Sequence, residues 1–266
     1  MGAAIHVERL GAGTPRLAMI HGFTQTGRSW RGLAADLAAD HEVVLVDAPG
    51  HGGSATVAAD LWRGAEAIVG VAGAGVYVGY SMGARFALVA ALARPAAVEA
   101  LVLLGVNPGI EDGDERAARR RSDDELAASI ERGGVDRFLD QWLAQPLFAS
   151  LPPDAADVED RRRNTAAGLA SSLRLAGTGV QEPVWDRVGT IEVPVIVVAG
   201  ERDTKFRALG ERLAPAIGSN ATFAVVPDAG HAAHLEQPTA FAALVRAWLA
   251  QAVSQSPAAN ATPKTS

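Results

Sequence analysis

The stretch VYVGYSMGAR, Val76 to Arg85, runs from a β-branched apolar segment through a lone serine between glycines into an alanine-rich segment. Read locally, it is a strand, a tight turn and the start of a helix. Residues 79–83 fit G-x-S-x-G, in which the serine is forced into a strained turn and the glycines let strand and helix approach closely. The turn also sets the Ser81 hydroxyl at a helix N-terminus, where partial positive charge favours a developing anion. An inert serine in a glycine-rich loop is the plain alternative, and the flanking strand and helix argue against it.

Working outward, the same rhythm recurs. Apolar runs at residues 16–22, 41–50, 76–81, 100–106, 193–200 and 221–227 are unbroken rather than alternating, as suits strands buried on both faces of a parallel sheet. Segments 29–40, 81–95, 207–217 and 241–253 have helical composition and spacing. Alternation of the two predicts a doubly wound, mostly parallel α/β sheet with helices on both faces. Residues 108–186 break the rhythm with several helical segments and no clear strand. They are expected to form a helical lid inserted into a core of residues 1–107 and 187–253. The tail, 254–266, is rich in Pro, Ser, Ala and Thr and is expected to be disordered.

Composition narrows the function classes. The 266 residues are 48% hydrophobic, enough for one large domain with a substantial core. A net charge of −6 disfavours a nucleic-acid or anionic-membrane partner. The absence of cysteine excludes disulfides and thiolate metal sites. No apolar run approaches the roughly 18 residues of a membrane span, and the N-terminus has no leader pattern. A soluble cytoplasmic protein, monomer or weak dimer, is expected, with a small-molecule substrate and no cofactor or metal. The Asn-x-Thr triplets at Asn220 and Asn260 are read as chance.

A serine hydroxyl becomes reactive only when a histidine takes its proton. Of the six histidines, His6 and His41 flank strands, and His51 lies in the glycine-rich DAPGHGGS, where turn packing is its expected role. His231 and His234 follow the strand at 221–227, where an α/β site assembles. His231 is preferred because catalytic residues of this type follow the order serine, acid, histidine; His234 is expected to face a helix or to pack beneath the loop. The acid then belongs after another strand, and Asp203, just past residues 193–200, fits, with helix capping as its alternative role. An oxyanion site needs two backbone amides. Met82 supplies one, and Phe23, after the HG pair at 21–22, is the candidate for the other.

These pieces resemble the α/β-hydrolase superfamily over residues 14–250. The resemblance is strongest to the 2-succinyl-6-hydroxy-2,4-cyclohexadiene-1-carboxylate (SHCHC) synthases of menaquinone biosynthesis. HGFTQTGRSW, DAPGHGGS, GYSMGAR, NPGIEDGDERAARRRSDD, WLAQPLFASL, GERDTKFRAL and AGHAAHLEQP carry it. Ala84 departs from the glycine that many relatives have there. The resemblance implies elimination of pyruvate rather than hydrolysis. Ser81, His231 and Asp203 would serve as a base, and the Phe23 and Met82 amides would hold charge on the succinyl carbonyl. It further implies that Tyr80, Arg85, Arg119, Trp142 and Arg161 border the substrate, with Trp142 equally suited to a lid core. A polycarboxylate substrate calls for arginines in an otherwise acidic protein. Of the lid arginines (Arg116, Arg119, Arg120, Arg121, Arg161, Arg162, Arg163 and Arg174), most are expected to pair at the surface with Glu111, Asp112, Asp114, Glu115, Asp123 and Asp124. Three adjacent arginines, 161–163, compete for one expected role. The rival readings are a carboxylesterase, a C–C bond hydrolase and an inactive binding protein on the same fold.

Overall fold

The computed structural model describes residues 4–254. In chain order they form β1 (Val7–Leu10), β2 (Leu17–Ile20), α1 (Arg31–Leu37), β3 (Val43–Val46), α2 (Leu61–Ala72), β4 (Gly75–Tyr80), α3 (Met82–Ala93) and β5 (Val98–Leu104). There follow α4 (Gly113–Leu143), α5 (Val158–Arg161), α6 (Ala166–Ala176), β6 (Val195–Gly200), α7 (Thr204–Ile217), β7 (Ala221–Val226), α8 (Ala233–Glu236) and α9 (Pro238–Ser254). The strand order is β1-β3-β2-β4-β5-β6-β7, antiparallel only between β1 and β3. This is the mostly parallel, doubly wound sheet expected from the sequence.

The unbroken apolar strands have a simple cause: both faces of the sheet are covered. Ala18, Ile20, Val44, Val46, Leu101 and Leu103 join a core with α2, α3 and α7. Their neighbours Leu17, Met19, Val43, Leu45, Val102 and Leu104 join a second core with α1 and α9. β2, β3 and the C-terminal half of β5 therefore feed alternate side chains to opposite layers, both of them apolar.

Two elements escape a pattern reading. β1 is a short edge strand of mixed polarity, and only its antiparallel register with β3 (Val7 opposite Val46) makes it a strand. α2 carries Gly64 and Gly70, which lower helix propensity, yet Asp60 caps it and six of its residues are buried. The expected helix at 29–40 is divided, with a 3-10 turn at Gly27–Trp30 before α1.

Between β5 and β6 the chain passes through α4, α5 and α6 with no strand. α4 is interrupted at Gly134, whose φ of +80° is non-helical. Ala127, Ile130, Phe138 and Leu139 of α4 pack with Leu169, Ala170 and Leu173 of α6 in a small core of their own, touched by Phe23 and Trp142. Ser254 ends α9, and the rest of the 254–266 tail, with Asn260, lies outside the described residues. No helix among the described residues is long and apolar enough to cross a membrane.

Candidate active site

Ser81 stands between β4 and α3 with φ +52° and ψ −107°, a strained conformation for a non-glycine residue. Its amide donates to the Leu104 carbonyl at 2.8 Å, which ties the turn to β5. Gly83 is required there, since a Cβ would come within 2.0 Å of the Ile20 carbonyl oxygen. The strain is thus enforced by β4 and α3 packing against β2.

Two loops at the C-terminal ends of neighbouring strands converge on this hydroxyl. The loop after β7 brings His231, whose Nε2 lies 3.0 Å from Ser81 Oγ. The loop after β6 brings Asp203, with Oδ2 2.6 Å from His231 Nδ1. An ionised Asp203 accepts from Nδ1–H, which leaves the Nε2 lone pair to accept the serine proton. Asp203 also caps α7, because its Oδ1 accepts from the Phe206 amide at 3.2 Å. The two roles weighed for this residue coexist on its two oxygens. The imidazole is held between Phe206, at 4.4 Å between ring centres, and Tyr80, at 5.2 Å.

His234 does not join this group. It is buried against Trp30, Tyr80 and Phe241, and neither ring nitrogen has a hydrogen-bond partner. Burial lowers its pKa to about 3, so it stays neutral. His51 is also buried and held near 3 by desolvation, then by the neighbouring His21. Its Nε2 accepts from the Thr24 amide at 3.3 Å while Nδ1 donates to the Pro49 carbonyl. Turn packing describes His51 only in part: it also bonds the loop after β2.

Phe23 lies in that loop and lines the same cavity as Ser81, Met82 and His231. As the first residue of α3, Met82 has no intrahelical acceptor for its amide. The Phe23 amide has no acceptor among the described residues either. Phe23 and Met82, which line the cavity with Ser81, thus each carry a backbone N–H without an acceptor.

The cavity lining is cationic although the chain carries a net charge of −6. Arg85, Arg119, Arg161 and Lys205 line the cavity, with Asp123 the acid among its lining residues. Arg85 is 7% exposed and donates to the Ala176 carbonyl at 2.7 Å and to Gln181 Oε1 at 3.0 Å. Arg161, 2% exposed, donates to the Ala156 carbonyl at 2.6 Å and to the Thr24 hydroxyl. All four acceptors are neutral, so neither charge is cancelled by a hydrogen-bonded carboxylate. Burial, then the Arg119 charge, lowers Arg85 to about 10, and it remains a cation at neutral pH. Burial lowers Arg161 as well. Arg119 differs, with its Nε 2.8 Å from Asp123 Oδ1.

The run 161–163 is resolved by direction. Arg162 turns outward to Asp136 and Glu159, Arg163 lies 3.7 Å from Asp160, and Arg161 alone of the three lines the cavity. The surface pairing expected between the lid arginines and the acids at 111–124 is largely replaced. Glu111 pairs with Arg212, Arg174 with Glu131, and Arg116 donates to the Ile110 carbonyl; Arg119 does pair with Asp123, but that carboxylate is buried.

Tyr80 and Trp142 also line the cavity. Burial raises the Tyr80 phenol, which stays protonated. Trp142 packs edge-on to Phe23 at 5.3 Å and against Phe138 and Phe148, so it is part of the inserted core as well as the cavity wall. Its indole N–H is buried without a partner. Sequence reasoning misses Lys205 and Gln181. Lys205 sits inside the GERDTKF stretch, which is the signal that could have found it, whereas nothing local marks Gln181.

Against known proteins, the model of the Alpha/beta hydrolase family matches residues 17–244. The 2-succinyl-6-hydroxy-2,4-cyclohexadiene-1-carboxylate synthase of Escherichia coli O1:K1 is 35% identical over 237 residues, covering 85% of this chain and 90% of that protein. The structure of MenH from S. aureus superposes with a TM-score of 0.88 at 26% identity, covering 93% of this chain and 99% of that one. A thermophilic esterase from Thermogutta terrifontis, solved with malate bound, shares the fold with a TM-score of 0.78 at 21% identity, over 93% of each chain.

Proposed function

Because the chain belongs to the α/β-hydrolase family and, within it, to the SHCHC synthases, we propose that it eliminates pyruvate from 2-succinyl-5-enolpyruvyl-6-hydroxy-3-cyclohexene-1-carboxylate. His231, oriented by Asp203, takes the proton of Ser81, and the serine oxygen removes the ring proton beside the succinyl carbonyl. The electron pair moves into the ring as the 3-ene becomes the 2,4-diene. The carbon–oxygen bond to the enolpyruvyl group breaks, and the departing enolate is protonated to pyruvate. Negative charge gathers on the succinyl oxygen during the step, where the Phe23 and Met82 amides receive it. No acyl-enzyme is needed. Residues 108–186 act as the lid of this site.

One observation carries the reading: Arg85 and Arg161 are buried cations with neutral acceptors, facing the cavity that holds Ser81. Desolvating a guanidinium is costly unless an anion completes the site, and a substrate with several carboxylates supplies it. A neutral ester has no use for two such charges. Arg119, Tyr80 and Trp142 complete the substrate surface.

The test is direct. Purified protein supplied with the enolpyruvyl substrate releases pyruvate, and Ser81→Ala lowers kcat by at least about a thousandfold. Absence of pyruvate together with ready hydrolysis of nitrophenyl esters would assign the site to ester cleavage instead.

A further inference from the structure

Gly22, Phe23, Thr24 and Gln25 form a turn closed by the Gln25 amide donating to the Gly22 carbonyl at 3.1 Å. Its third residue, Thr24, has φ +71°. That position in a turn favours glycine or asparagine, and a β-branched residue adopts it only when its neighbours enforce it. Thr24 is fully buried, and each of its polar groups is held. Its amide donates to His51 Nε2 at 3.3 Å, its carbonyl accepts from Asn164 Nδ2 at 2.6 Å, and its hydroxyl accepts from Arg161.

Two of these three tethers come from the segment inserted between β5 and β6. A third bond joins the same partners, from Thr26 Oγ1 to Asp160 Oδ2 at 2.6 Å. Asn164 is the hub. Its Oδ1 accepts from the Gly52 amide at 2.9 Å, and its Nδ2 also donates to the Arg161 carbonyl at 2.9 Å. One buried amide side chain therefore binds the loop after β2, the loop after β3 and the end of α5. It is not among the residues lining the cavity.

We infer that Asn164 is a positioning residue that holds the Phe23 amide in line with Ser81 through the strained Thr24. This rests on the Phe23 amide being an oxyanion donor, as proposed above. The consequence is that the oxyanion site is complete only while the inserted segment is seated on the core. Without the bond to the Thr24 carbonyl, the turn relaxes toward a negative φ and carries the Phe23 backbone with it.

The isosteric Asn164→Asp keeps the acceptor for the Gly52 amide and removes both Nδ2 donors. It is measured in the full chain by kcat and KM for pyruvate release, by inhibition with phenylboronic acid and by thermal melting. Boron bonds to Ser81 Oγ as the serine proton passes to His231, and the resulting anionic boronate oxygen faces the two amides. The expected result is a kcat lowered about 10- to 100-fold with KM within about threefold, and phenylboronic acid weakened by a similar factor. The double variant Thr24→Gly/Asn164→Asp should regain about tenfold in kcat, because glycine accepts the left-handed conformation without a tether. Unchanged kcat, a change confined to KM, or undiminished boronate binding overturns the inference. Asn164→Ser takes the place of Asn164→Asp if the latter does not fold. Wild-type protein that releases no pyruvate refutes the elimination reading, while the boronate comparison still decides the role of Asn164. Wild-type protein that does not bind the boronate refutes the oxyanion assignment and this inference with it.

Discussion

In the proposed reading, Arg85 serves substrate binding at a cost in stability. It is buried, its hydrogen bonds go to a carbonyl and an amide oxygen, and no carboxylate touches it. Such a charge is expensive to the empty fold and becomes favourable only against a bound anion. Arg85→Met should therefore raise KM and lower kcat/KM by about 10- to 100-fold, the worth of one or two charge-assisted bonds. The melting temperature of Arg85→Met should hold or rise; a clear fall would make Arg85 a structural residue. Arg85→Lys should not restore activity: Nη1 alone makes the bonds to Ala176 and Gln181, which leaves the rest of the guanidinium fork for an anion, and an ammonium has no second nitrogen to offer. From sequence, Arg85 was legible as four residues beyond Ser81, on the first turn of a helix. The neutrality of its partners was not, because Ala176 and Gln181 lie more than 90 residues away.

At the scale of the element, α7 and the loop before it separate two roles that meet in one residue. Asp203 caps α7 with one oxygen and orients His231 with the other. In Asp203→Asn the side-chain amide oxygen can still accept from the Phe206 N–H. That variant should melt within a few degrees of wild type while losing about 10²- to 10⁴-fold in kcat. Asp203→Ala should show the same loss of turnover with a further destabilisation of about 1 kcal/mol, read by urea unfolding. Equal activity of Asp203→Asn and wild type would reduce Asp203 to a cap. Elements with strong periodicity were legible: β2 to β7 and α3, α7 and α9 fall where apolar runs and helical spacing place them, with shifted ends. β1 and α2 were not. VERL has too little apolar character to declare itself, and its strand state comes from β3; the two glycines of α2 mask a helix whose buried face supplies the stability.

Across the whole molecule, buried neutral histidines make the fold sensitive to acid. The folded-state pKa values of His234 and His51 fall to about 3, against about 6.5 for an unfolded chain, and His21 is lowered too, burial being the largest cause in each. Above pH 6.5 neither state binds the proton and these residues contribute no pH dependence. Between 6.5 and about 3 the unfolded chain takes protons that the fold refuses, so stability falls as the pH is lowered, by about 1.4 kcal/mol per unit for each of His234 and His51. Unfolding free energy should therefore be lower at pH 5 than at pH 7. His234→Phe, which removes two unpartnered nitrogens from an aromatic cluster, should recover about 2 kcal/mol of that loss. An unchanged acid slope in His234→Phe would place the sensitivity elsewhere. By itself, the sequence determined the sheet, the strained turn at Ser81 and the order of serine, acid and histidine, because periodicity, glycine spacing and strand ends act within a few residues. Only the tertiary structure decided which of Arg161, Arg162 and Arg163 faces the cavity, and that Asn164 holds Thr24 across 140 positions. Those outcomes depend on which surfaces α5 and the loop after β2 present to each other, and no local pattern encodes a contact between segments so far apart.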